Sequence, residues 1–191
     1  SAAGNEATIS ATTLDANLNN CALSRGSGIN ATALSQTYNS SNYTVSGNKA
    51  NAVSTNKFVY FTLNAKLGYQ VSLTTLDARF RRSSAGPNTF RWQYSIGGTN
   101  FTDIGTSDIS YTSTTTGGDA QAQIDLSVIT ALQNVTNTTT VTIRLLGWGA
   151  TNTGGVFAIG RSLTSGANDF SLAVGGSVVA ITSDPTISVS P

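Results

Sequence analysis

Apolar and polar residues alternate along much of this chain, most clearly between Leu76 and Ser95. Leu76, Ala78 and Phe80 point one way; Asp77, Arg79 and Arg81 point the other. After the loop SSAGPN, Phe90, Trp92 and Tyr94 share a face, and Arg91, Gln93 and Ser95 take the opposite one. A period of two marks half-buried strands, and Gly86-Pro87 is a strong turn signal. The stretch reads as a β-hairpin with one core face and one wet face.

The same pattern places strands elsewhere. Glu6–Ser10 forms a first short strand. In Lys57–Leu63, Val59, Phe61 and Leu63 make a core face, while Phe58 and Tyr60 lie opposite under loop cover or as a stacking platform. Tyr69, Val71 and Leu73 alternate inward after Gly68. Phe101 and Ile104 return to the core, and Ser107–Tyr111 is another short strand. Val141, Ile143 and Leu145 line the inside of Thr139–Leu145, with Arg144 outward and Gly147-Trp148-Gly149 ending the strand. Val156–Ile159 and Phe170–Ile181 supply the last strands. Residues 14–43 read as irregular, pinned by Leu18, Leu23, Ile29, Leu34 and Tyr38, with Arg25 as an anchor to backbone carbonyls or part of a site. Asp125 and Ser127 cap one short helical turn running through Leu132.

Nine or ten short strands with at most one short helix define an all-β chain. A two-sheet β-sandwich is expected, wound as a jelly roll or, as the alternative, as an immunoglobulin-like Greek key. No repeat with a fixed period of 20–50 residues points to a propeller or solenoid. The 191 residues suit one domain, expected over 1–182. SDPTISVSP reads as the start of an interdomain linker over 183–191, and both ends look like cuts in a longer protein.

Composition sharpens this picture. Charged residues make up 10% of the chain, against about 25% in average soluble domains. Ser, Thr, Asn and Gly fill the gap, as suits exposed strand positions and turns of an extracellular module. The net charge of +1 provides no bulk field for nucleic acid or membrane, so anion binding has to come from a local cluster. Arg79, Arg81 and Arg91, three of the seven arginines, fall on the wet face of the expected hairpin. Arg144 joins them if the strands are neighbours. Arg pairs bidentately with carboxylate and sulfate-like groups, which makes this face a candidate ligand surface.

Histidine is absent, which excludes Ser-His-Asp and Cys-His arrangements and any His metal site. No phosphate-loop or dinucleotide fingerprint is present. None of the nine acidic residues stands out as part of the facing pair a glycosidase needs. No cofactor is required; a structural calcium between first and last strands would use Glu6 and Asp169. The single cysteine, Cys21, has no internal disulfide partner and is expected to pack as a small apolar residue. Trp148, in the Gly-rich GWGATNTGG, closes the end of the core or offers a sugar platform. Trp92 belongs to the core.

The stretches FRRSSAGPNTFRWQYSIGGTNFTDI and TVTIRLLGWGATNTGGVFAIG resemble a recurrent accessory β-sandwich domain of secreted, multidomain bacterial proteins. The likeness covers most of the chain, from LSRGSG to the linker-like SDPTISVSP. By analogy it resembles non-catalytic carbohydrate-binding modules. The resemblance implies a secreted or cell-surface module, a monomer linked covalently to catalytic or sorting domains. The expected ligand is an anionic polysaccharide of marine type, sulfated or uronic, held by Arg79, Arg81, Arg91, Gln93 and Arg144 with stacking on Tyr60 or Trp148. The alternative is a structural or adhesive spacer with no glycan ligand, its arginines spent on loop carbonyls.

Overall fold

The computed structural model describes residues 2–160 and 170–182. Asp169 and the expected linker over 183–191 lie outside the described residues. Nine strands carry the architecture: β1 Thr8–Ser10, β2 Ala22–Arg25, β3 Thr37–Ser41, β4 Phe58–Leu63, β5 Tyr69–Arg82, β6 Thr89–Ile96, β7 Val141–Ala150, β8 Phe157–Gly160 and β9 Leu172–Ala180. They form two antiparallel sheets packed as a β-sandwich, as the alternation predicts.

The first sheet runs β1-β2-β4-β7-β6, with Ile109–Ser110 and Thr102–Asp103 added beside β6. The second is built on β5. Along one edge of β5, β8 pairs Phe80–Arg82 and β9 pairs Tyr69–Ala78; β3 lies beyond β8. Asp119–Ala120, Ile124–Asp125 and Val135–Thr136 bridge the opposite edge. Between the sheets, Val59, Phe61, Trp92, Ile143 and Leu145 meet Val71, Leu73, Leu76, Phe80, Phe157 and Ile159. Cys21 is half-buried against this core, as expected, and burial pushes its thiol pKa up.

The inward positions of β5 step from Leu73 to Leu76, three residues instead of two. A β-bulge explains the slip: Gly175 pairs with Thr75 and Gly176 with Leu73, leaving Thr74 unopposed. A Cβ at Gly176 would stand 2.3 Å from the Ser72 carbonyl oxygen, so glycine permits the close approach.

Several local expectations are corrected. Leu76–Ser95 is not a hairpin: β5 and β6 belong to different sheets, and residues 83–88 cross between them. Alternation cannot separate the two cases, because a strand crossing to the facing sheet keeps one inward face. Arg82, at an inward position, organises the crossing by donating to the carbonyls of Ser84, Gly86, Pro87 and Thr112. The α-helix lies at α1, Lys49–Ser54, where Asn48 and Asn51 form a capping box. Only a 3₁₀ turn, Thr130–Leu132, falls in the expected helical stretch. Residues 14–43 contain β2 and β3, whose short polar sequences hide their period. Phe101 lies half-buried against Arg144 instead of in the core, whereas Ile104 is in it.

Phe80→Ala should lower the unfolding free energy by about 3–5 kcal/mol. Leu67→Ala, at a side chain 86% exposed, should stay within about 0.5 kcal/mol of the parent. Urea denaturation of both variants checks the assignment of core and surface.

Candidate functional site

The two sheets divide the expected arginine face. Arg91, Gln93, Arg144 and Tyr60 stand on the outer face of the first sheet, where Arg144 lies in register between Tyr60 and Gln93. Arg79 and Arg81 stand on the outer face of the second. The corner at residues 83–88 puts the two groups on opposite sides of the sandwich.

Arg91, Gln93 and Arg144 of the first group are buried. Arg144 donates through Nε (2.9 Å) and Nη2 (2.8 Å) to Gln93 Oε1, and Gln93 Nε2 donates to Asp103 Oδ1 at 2.6 Å. Lys49, from α1, also bonds Asp103. Arg91 Nε donates to Asp108 Oδ1 at 2.7 Å, and Nη1 to the Gly105 carbonyl at 3.0 Å. The guanidinium of Arg144 is flanked by Phe101 at 3.5 Å and Phe58 at 4.9 Å. Its pKa is lowered by burial, with the Asp103 charge acting in the opposite direction. This network joins α1 and the 101–108 loop to the sheet, and its polar groups already have protein partners.

Trp148 lies within β7, not in a turn. It is buried with Ala52 and Leu146, flanked by Val53 and Phe58 under α1. The sugar-platform reading therefore lacks an open ring face there. Tyr60 is half-buried, with its ring edge-on to Phe58 at 5.8 Å.

Arg25 is the anchor. It donates to the carbonyls of Gly4, Glu6 and Asn39 and to Ser40 Oγ, with its guanidinium 3.7 Å from the Tyr38 ring centroid. Glu6 accepts from the backbone N–H groups of Ala3 and Gly4, so its carboxylate holds the N-terminal turn. Among the described residues no group of three or more His, Cys, Asp or Glu could hold a metal ion. None of their helices is long and apolar enough to cross a membrane.

The second sheet presents a different surface. Arg79 Nη1 donates to the Gly118 carbonyl at 3.0 Å. At Arg81 there is a hollow of about 380 Å³, lined also by Thr32, Leu34, Asn39, Ser83 and Thr114 among others, near the low end of the roughly 300–1,000 Å³ of small-molecule sites. Arg81, Ala158 and Asn39 are in register across β5, β8 and β3. The small Ala158 between the two polar residues is itself buried. Arg81 Nη1 and Asn39 Oδ1 are both buried without a hydrogen-bond partner. Sequence reasoning chose Arg81 but missed Asn39, for which TYNSS offers no signal.

No protein-family model, curated protein or solved structure matches this chain.

Gln93→Leu would strip the acceptor from buried Arg144 and the donor from Asp103; unfolding free energy should fall by about 3–5 kcal/mol in urea titrations. Burial pushes the Asp103 carboxyl up, but hydrogen bonds from Lys49 and Gln93 and the charges of Lys49 and Arg91 outweigh it, holding the pKa below the ordinary 3.8. Its stabilising contribution is therefore complete above the unfolded value and is lost as pH falls through the lower folded value. Chemical denaturation from about pH 5 to about pH 2 should show Asp103→Asn losing less stability with acid than the parent.

Proposed function

We propose that this chain is a non-catalytic carbohydrate-binding module of a secreted polysaccharide-active protein, and that it binds an anionic polysaccharide, sulfated or uronic. The observation that carries this reading is the state of Arg81. Nine of the ten Lys and Arg residues lie among the described residues. Eight of these have a hydrogen bond or ion pair to protein. Arg81 alone among them has none, and its Nη1 is buried beside a hollow. A partly buried cation without a counter-charge is costly, and an anionic ligand would offset that cost.

The reading moves the binding surface from the expected composite face to the second sheet, with Arg81 at its centre and Arg79 alongside. Arg91, Gln93, Arg144 and Trp148 become structural. A jelly-roll winding belongs to the same proposal; it is supported by the chain changing sheets at β2–β3, β3–β4, β4–β5, β5–β6 and β7–β8. The rival reading, a structural or adhesive spacer, is favoured by the paired network on the first sheet, which leaves that whole face without a ligand group.

Affinity electrophoresis against agarose, porphyran, carrageenans, alginate, fucan, xylan, β-glucan and chitin derivatives tests the proposal. An anionic glycan should retard the domain, with retardation falling as salt rises. Arg81→Ala should abolish retardation while the fold persists; Arg91→Ala should unfold or destabilise the domain. No retardation by any glycan would leave the spacer reading.

A further inference from the structure

Resting on that reading, we infer that the hollow recognises a single acidic sugar ring by two contacts, its anionic group on Arg81 and a hydroxyl on Asn39. The unpartnered atoms define what a ligand must bring. Arg81 Nη1 is a cationic donor and calls for an anionic acceptor. Asn39 Oδ1, on a residue only 2% exposed, is a neutral acceptor and calls for a donor. Inorganic sulfate satisfies the first and repels the second; a neutral sugar satisfies the second and leaves the cation bare. A uronate or a sulfated hexose carries both functions on one ring.

The fold sets the spacing. Arg81 and Asn39 sit two strands apart with Ala158 between them. Adjacent strands are about 4.8 Å apart, so their backbones are separated by roughly 10 Å. The Arg side chain spans much of that gap. Ala158 is itself only 1% exposed, so a ring would sit in the hollow that Arg81 and Asn39 both line, not over the Ala158 methyl group. Both residues line the hollow while Nη1 and Oδ1 are buried, so ligand contact requires their terminal torsions to turn toward it. Thr32, Ser84 and Thr114 at the rim supply further hydroxyls.

An orphaned buried acceptor costs stability (its desolvation is uncompensated), and replacing it with an apolar side chain of similar shape removes that cost. Asn39→Leu therefore separates a binding role from a structural one. The backbone of Asn39 keeps its bonds to Gly4, Arg25 and Thr32 in the variant.

The experiment measures competition against the glycan that retains the intact domain, using glucuronate, galacturonate, galactose 6-sulfate, galactose and sodium sulfate at equal ionic strength. The acidic sugars should displace the polymer at concentrations about 10–100-fold lower than galactose or sodium sulfate, and the better of uronate and sulfated sugar names the anion. Arg81→Gln and Asn39→Leu should each weaken retention about 10-fold or more, with Asn39→Leu melting at the parent Tm or a few degrees above it. Sodium sulfate competing as well as the acidic sugars would overturn the two-contact inference while leaving the binding module intact. A lowered Tm with unchanged retention in Asn39→Leu would overturn it too, by showing that Asn39 pairs internally with Arg81. Retention by no glycan overturns both the inference and the reading beneath it.

Discussion

Phe80, Phe90 and Phe157 meet in the middle of the sandwich, with ring centroids 5.2 Å apart for Phe80–Phe90, 5.0 Å for Phe80–Phe157 and 4.4 Å for Phe90–Phe157. Phe80 and Phe157 come from the second sheet and Phe90 from the first. Each pairing adds about 0.5–1.5 kcal/mol beyond the area it buries. This contact requires β5 and β6 to face each other across the core instead of lying side by side. The crossing at residues 83–88, its organisation by Arg82, and the separation of Arg79 and Arg81 from Arg91 and Gln93 all follow from it.

The class of fold was legible because a period of two survives any strand order. Val59, Phe61 and Leu63, or Val141, Ile143 and Leu145, have to face a core wherever their strands sit. The site was legible in part. Alternation placed Arg81 outward, but whether two outward residues share a sheet depends on strand order, which periodicity does not encode. Arg144 did join Arg91 and Gln93, through the direct pairing of β7 with β6; Arg79 and Arg81 did not. Trp148, flanked by glycines, fitted either the end of the core or a sugar platform; α1 covers it, and the capping pair Asn48 and Asn51 was the overlooked local sign of that helix. Asn39 was illegible because its place in register with Ala158 and Arg81 is set by two other strands.

Scarcity of charge gives the molecule its character. With few acidic side chains available, the protein ties most of its cations to backbone carbonyls. Arg25 and Arg82 each collect several, fastening an N-terminal segment and a sheet-to-sheet corner. Arg91 and Arg144 instead share Asp103, Asp108 and Gln93 under α1. Such fixed guanidinium groups act as struts. The outer face of the second sheet departs from this rule at Arg81, whose buried Nη1 has no protein partner.

The place of β9 has a consequence for how the chain is made. Leu172 pairs with Ala78 and Ala180 with Tyr69, so one edge of the longest strand waits for a partner about a hundred residues downstream. During synthesis most of the first sheet has emerged before that partner does. Until then β5 carries an open row of backbone N–H and C=O groups, the kind of edge that recruits strands from other molecules. Closure of that edge is a late, long-range event, and such pairings fold slowly. A chain stopping short of residue 172 would retain the open edge, a template for strand pairing between molecules that the last strand covers.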